Sequence, residues 1–254
     1  MKSGWLESYY EALEFFYWEP QHLGRKKHSS AEFDTLPKVK RHLRNMEVTL
    51  NHNIHQFLAL APRALRNKFL GLCLGRDVSG DFVMEFRDVD KKFNLMNSTQ
   101  PDLLFISSES TISVEMKIGA KRSIAQIQKY ALLALAMEQI DGQKDSHTLG
   151  LLGPGDFSSQ FKEGIASLSE LRKAIQDADH EKFLSKQPLH LRNEPSRFKQ
   201  IVETLQIGFT NYQSFATMLE ASMPDASDFS DGAEVFRNLI QGMKGELKIR
   251  RLAP

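Results

Sequence analysis

The chain has 254 residues, with 33 Lys and Arg against 32 Asp and Glu, so its formal net charge is +1. That near-neutrality excludes a protein that holds nucleic acid by bulk charge, and any such surface must be local. Hydrophobic residues at 41% and charged residues at 26% give the balance of an ordinary soluble globular protein with a sizeable core.

No apolar run approaches the roughly 20 residues needed to span a bilayer. The N-terminus MKSGWLESYY carries Glu7 and lacks an apolar signal core, so no membrane partner and a cytoplasmic location are expected. Cys73 is the single cysteine, which rules out an internal disulfide; in FLGLCLG it reads as a small buried side chain. Two basic clusters stand out: Arg25, Lys26, Lys27, Lys38, Lys40, Arg41 and Arg44, and the tail Lys244, Lys248, Arg250 and Arg251. Such clusters are more often solvated surface than ligand sites.

Residues 3–18 read as a helix with Trp5, Tyr9, Leu13 and Phe16 at helical spacing, closed by Pro20. Residues 21–34 read as a polar, basic loop. A long helix is expected over 36–60, where Leu36, Val39, Leu43, Met46, Leu50, Ile54 and Phe57 form one stripe. Pro62 breaks it, and a second helix follows over 63–74. The period then changes. FVMEFRDV (82–89) and DLLFIS (102–107) read as strands, and TISVEMKI (111–118) alternates apolar and polar strictly. Ser123 can cap a helix over 124–140, which Asp141-Gly142 stops; HTLGLLG (147–153) is a fourth strand. Beyond 156 the patterns are helical, with a further strand suggested only at ELKIRR (246–251). The fold class is α/β: a central mixed β-sheet flanked by helices, with additional N- and C-terminal helices. The expected regions are an N-terminal helical extension (1–35), a core (36–155) and a helical C-terminal region (156–254).

The candidate chemistry lies on the second hairpin. With Ser108-Glu109 as its turn, Ser107 pairs with Ser110, and counting outward sets Asp102 opposite Glu115 on one face. Lys117, two residues on, shares that face. Opposed carboxylates cost a few tenths of a kcal/mol to about one. A divalent cation would offset this, since carboxylate oxygens are its preferred ligands. Two acids, a metal and a lysine make a site for a phosphodiester: the metal activates water and stabilises phosphoryl charge, and the lysine orients the water or stabilises developing charge.

Pro101-Asp102 followed by Glu115-Met116-Lys117 resembles the signature of the PD-(D/E)XK nuclease superfamily. Its restriction-endonuclease-like core, αβββαβ, matches the order of elements over roughly residues 40–153. Gln126 and Tyr130 also fall where a subset of that superfamily carries Gln-x-x-x-Tyr. The resemblance implies a Mg²⁺ (or Mn²⁺) ion held by Asp102, Glu115 and an oxygen of Met116, with Lys117 assisting the attacking water. It implies Gln126 as a supporting catalytic contact, and Lys121, Arg122, Gln126 and Tyr130 as nucleic-acid contacts; Tyr130 packed in the core is the bland alternative. An extra acid from the first helix would be Glu47, with Glu85 as its rival and Asp88 and Asp90 as weaker candidates.

The implied activity is metal-dependent hydrolysis of DNA. RNA is a possible substrate, a homodimer a possible assembly, and a non-catalytic binding protein of the same fold or an unrelated α/β protein the alternatives. Pro224-Asp225 with Glu246-Leu247-Lys248 repeats the short pattern, but the residues after Asp225 read as loop and helix. His52-x-x-His55 lacks a third ligand, and Gly150-x-x-Gly153 lacks the Lys-Ser/Thr of a phosphate loop.

Overall fold

A computed structural model describes residues 46–85, 89–95 and 100–254. The helix expected over 3–18, the loop over 21–34, the basic cluster over 25–44 and Asp88 lie outside these residues, as does the side chain of Asp90. In chain order the elements are α1 (Glu47–Leu60), α2 (Arg63–Leu74), β1 (Val83–Glu85), α3 (Val89–Lys92), β2 (Leu103–Ile106), β3 (Ser110–Met116), α4 (Ile124–Asp141), β4 (Ser146–Gly153), α5 (Leu168–Gln176), α6 (His180–Leu184), α7 (Leu189–Arg192), α8 (Pro195–Thr204), β5 (Gln206–Asn211), α9 (Tyr212–Ala221) and α10 (Asp231–Ile249). The chain divides into two compact units, one over 66–215 and one whose described residues are 46–65 and 216–254.

The first unit is a five-stranded mixed sheet in the order β1-β2-β3-β4-β5. β1 and β3 run antiparallel to β2, while β4 runs parallel to both β3 and β5. The β2–β3 register pairs Leu103 with Val114 and Phe105 with Ile112, and the Ser107 N–H donates to the Ser110 carbonyl (2.9 Å) across the two-residue turn. A parallel β3–β4 pair needs a crossover, and α4 supplies it. Ser123 caps α4 by accepting the Gln126 N–H, and Gly142, at φ +84, ends it in a backbone region that glycine tolerates. Residues 130–137 of α4 are all buried, because the helix lies against β4 and under α5, α7 and α8. A helix that is apolar on all sides requires that cover.

Three strand expectations change. The run 82–89 is a strand only over Val83–Glu85, and Val89 opens α3. β5, within the region expected to be helical, extends the sheet unit to Phe215. Its Gly208 passes so close to α2 that a Cβ there would lie 2.4 Å from the Cys73 carbonyl oxygen. Residues 246–249, suggested as a strand, instead close helix α10. The strictly alternating β3 is buried on both faces, so its polar side chains must find partners inside.

In the second unit α1 packs on α10, burying Leu50, Ile54 and Phe57 with Ile240, Met243 and Leu247. The expected 36–60 helix begins, within the described residues, only at Glu47, because Met46 is extended (φ −79°, ψ 128°). Arg250, expected at the surface, turns its side chain inward, where it is 3% exposed: it donates to Glu246 and to the Met46 carbonyl (3.1 Å). Asn53 also donates to Glu246 (3.3 Å), and Lys244 pairs with Glu220. Residues 225–230 form a loop ahead of α10, so the second Pro-Asp…Glu-x-Lys pattern builds no hairpin. Among the described residues no helix is long and apolar enough to cross a membrane.

Candidate active site

Parallel strands β3 and β4 end side by side, Met116 opposite Leu152, and the chain leaves β3 through Lys117 toward the N-terminus of α4. In α/β sheets the carboxyl ends of parallel strands are where ligands are received. Asp102 stands one residue before β2, and continuing the register sets it opposite Glu115. Its Oδ2 accepts the main-chain N–H of Met116 at 2.6 Å.

Glu115 is 4% exposed, so its carboxylate depends on internal donors. Lys117 Nζ lies 2.7 Å from Oε1, the Gln126 side-chain amide also donates to Oε1, and the Tyr130 hydroxyl donates to Oε2. Gln126 and Tyr130 are one helical turn apart, which is why both reach one carboxylate. Burial pushes the Tyr130 hydroxyl pKa well above its ordinary value, and the charges of Glu115 and Asp102 push the same way. Tyr130 is therefore a neutral donor at physiological pH.

Arg122 is fully buried. Its Nη2 donates to the carbonyls of Glu115 (2.9 Å) and Leu152 (2.6 Å), and Nη1 donates to Gln160 Oε1 (2.7 Å). Burial lowers its pKa, and the nearby charge of Glu115, with a smaller one from Asp102, works against that. A guanidinium remains protonated even so. The Gln160 side-chain amide donates in turn to the carbonyls of Pro154 and Asp156, tying the loop after β4 to the site.

No protein-family model, curated protein or solved structure matches this chain.

The structure brings Asp102, Glu115, Lys117, Gln126 and Tyr130 together. Two expected nucleic-acid contacts are placed otherwise. Arg122 is fully buried, with Nη2 on two main-chain carbonyls and Nη1 on Gln160, and Tyr130, 5% exposed, donates to Glu115. Lys121 is exposed in the loop before α4. The bridge between Arg122 and Phe161 brings the segment carrying exposed Lys162 beside it. Glu85 opposes Leu104 on β1 and pairs with Lys92 (2.8 Å). Glu47 occupies the first turn of α1, in the other unit. Among the described residues no group of three or more His, Cys, Asp and Glu is arranged to hold a metal ion. His52 instead contacts Gln56 (3.0 Å).

Sequence patterns also gave no sign of a second buried polar chain. Thr111 meets His147 Nδ1 (2.7 Å), His147 Nε2 meets Glu138 (2.9 Å), and Arg197 grips Glu138 with two donors (2.7 and 2.6 Å). Burial acts to raise the Glu138 carboxyl pKa, but bonds from Arg197 and His147 outweigh it and hold the carboxyl below its ordinary range. Burial lowers the pKa of His147, against the pull of Glu138. The polar alternation of β3 hinted that Thr111 faces the same side as Glu115, but its partner His147 is 36 residues away along the chain.

Proposed function

We propose that the protein is a divalent-metal-dependent nuclease of the PD-(D/E)XK type, with DNA as its substrate. The observation that carries this reading is the meeting of Asp102, Glu115 and Lys117 where β2 and β3 adjoin, with Lys117 Nζ 2.7 Å from Glu115 Oε1. In this reading helix α2, strands β1–β3, α4 and β4 stand for the αβββαβ order, with the short helix α3 inserted between β1 and β2.

The donor set suits Mg²⁺ or Mn²⁺. Asp102 and Glu115 offer hard oxygen ligands, and the Met116 carbonyl extends the set. Mg²⁺ commonly takes only one or two carboxylates and completes its shell with water and substrate phosphate, so no third acidic side chain is required. Bound there, the ion supplies Lewis acidity toward the phosphodiester and toward water.

The protein's own residues account for the remainder. Asp102 is oriented by the Met116 N–H, and Glu115 by Tyr130. Lys117, whose side chain is 14% exposed, pairs with Glu115; released from it, the ammonium orients the attacking water and stabilises charge growing on the phosphoryl group. Gln126 shares Glu115 Oε1 with Lys117, so it keeps the carboxylate in place when the lysine turns to substrate. Exposed Lys121 and Lys162 are the candidates for contact with the phosphate backbone.

The test is incubation of supercoiled plasmid, linear DNA and labelled RNA with Mn²⁺ and either wild type or Lys117→Ala. DNA cleavage by wild type and none by the variant is expected. Cleavage of RNA alone would move the substrate assignment, and cleavage of nothing by wild type would remove the activity. A second reading, a non-catalytic protein with the same cluster as an internal polar network, draws on the fact that both Glu115 oxygens already have protein donors. That reading expects no cleavage and no response to metal.

A further inference from the structure

We propose that Arg122 is a positioning residue that sets the Asp102 carboxylate through the peptide group joining Glu115 and Met116, an inference that rests on the nuclease reading above. The Glu115 carbonyl oxygen and the Met116 N–H are the two ends of one planar, resonance-stiffened unit. Arg122 Nη2 donates to the first at 2.9 Å, and Asp102 Oδ2 accepts from the second at 2.6 Å. A cation on the oxygen and an anion on the N–H polarise the amide in the same direction. Each bond strengthens the other, as in any hydrogen-bonded chain in a medium of low dielectric constant. One carboxylate oxygen of Asp102 is thereby pinned, and the orientation of the whole carboxylate is fixed relative to Glu115.

Arg122 is built into this place. It is fully buried, and besides the Glu115 carbonyl it holds that of Leu152 at 2.6 Å and Gln160 Oε1 at 2.7 Å. A planar fork spans two strand carbonyls and a side-chain amide in a way that a lysine ammonium does not. Gly153 makes the space: a Cβ there would lie 2.1 Å from Gln160 Oε1 and 3.2 Å from Arg122 Nη1. Groups that hold a metal ligand from behind ordinarily change metal affinity by about 10–100-fold when removed. A role confined to stitching β3 to β4 would lower the melting temperature and leave the affinity of the folded protein unchanged.

The experiment compares Mn²⁺ affinity, by calorimetric titration, in wild type, Arg122→Lys and Arg122→Met, each below its own melting transition. The expected order is wild type, then Arg122→Lys, then Arg122→Met, with the last weaker by about tenfold or more. Equal affinity in wild type and folded Arg122→Lys overturns the proposal, so it stays testable if Arg122→Met does not fold. A metal-free measurement separates this proposal from the nuclease reading. In Asp102→Ala, Arg122→Lys and the double variant, coupling through the peptide requires the combined loss in melting temperature to be smaller than the sum of the single losses. Additive losses overturn the coupling. If wild type binds no Mn²⁺ but the losses are sub-additive, the nuclease reading falls and the Arg122–Asp102 linkage stands as structural.

Discussion

Tyr130→Phe removes one oxygen and leaves the ring in place, so it isolates the hydroxyl that donates to Glu115 Oε2. Tyr130 is 5% exposed and Glu115 4%, so water cannot readily replace the lost donor. A hydrogen bond to a charged partner contributes about 1.5–3 kcal/mol. For a protein of this size each kcal/mol moves the melting temperature by roughly 2–4 °C, so the variant should melt roughly 3–12 °C lower. The assay is thermal unfolding followed by circular dichroism in EDTA, across a pH series. Burial, aided by Glu115 and Asp102, raises the folded-state pKa of Tyr130 well above its ordinary value. The hydroxyl's contribution is therefore fully present below the unfolded tyrosine pKa of about 10 and is lost as pH rises beyond it. The gap between wild type and variant should narrow above about pH 10 for that reason. A Tyr130→Phe protein that melts with wild type in EDTA near neutral pH would refute the view that Glu115 depends on this donor.

Two other perturbations test separate parts of the structure. Glu246→Ala leaves Arg250 buried without its carboxylate, and breaking such a pair costs about 3–5 kcal/mol, readable by urea unfolding; a change well under 1 kcal/mol would contradict the buried assignment. For His147, burial lowers the folded-state pKa, so the unfolded chain takes up a proton first and stability falls as pH drops below the unfolded value near 6.5. Glu138, held below its ordinary range, adds a further loss at lower pH. His147→Gln should flatten the first part of that decline, and an unchanged pH profile would show that His147 is not its source.

The parts of the fold legible in the sequence were those written locally. Alternation over 111–118, a two-residue turn at Ser108-Glu109 and a Ser123 cap fix the β2–β3 register and the start of α4, and with them the approach of Asp102, Glu115, Gln126 and Tyr130. What escaped depended on distant partners. β5 is six residues with Gly208 at its centre, and it is a strand because β4 offers an edge and α2 leaves room only for a glycine. Arg122 follows Lys121 and reads as one of a surface pair; only the carbonyls of Glu115 and Leu152 and the side chain of Gln160 draw it inside. Helix α1 carries the expected apolar stripe, yet no pattern in that stripe signalled the extended backbone at Met46.

Calorimetric titration of Mn²⁺ into wild type and Asp102→Ala addresses the central claim most directly. Saturable one-site uptake by wild type that Asp102→Ala abolishes is the outcome required of an ion seated between the strand-end acids. No uptake by wild type, or undiminished uptake by the variant, would contradict it.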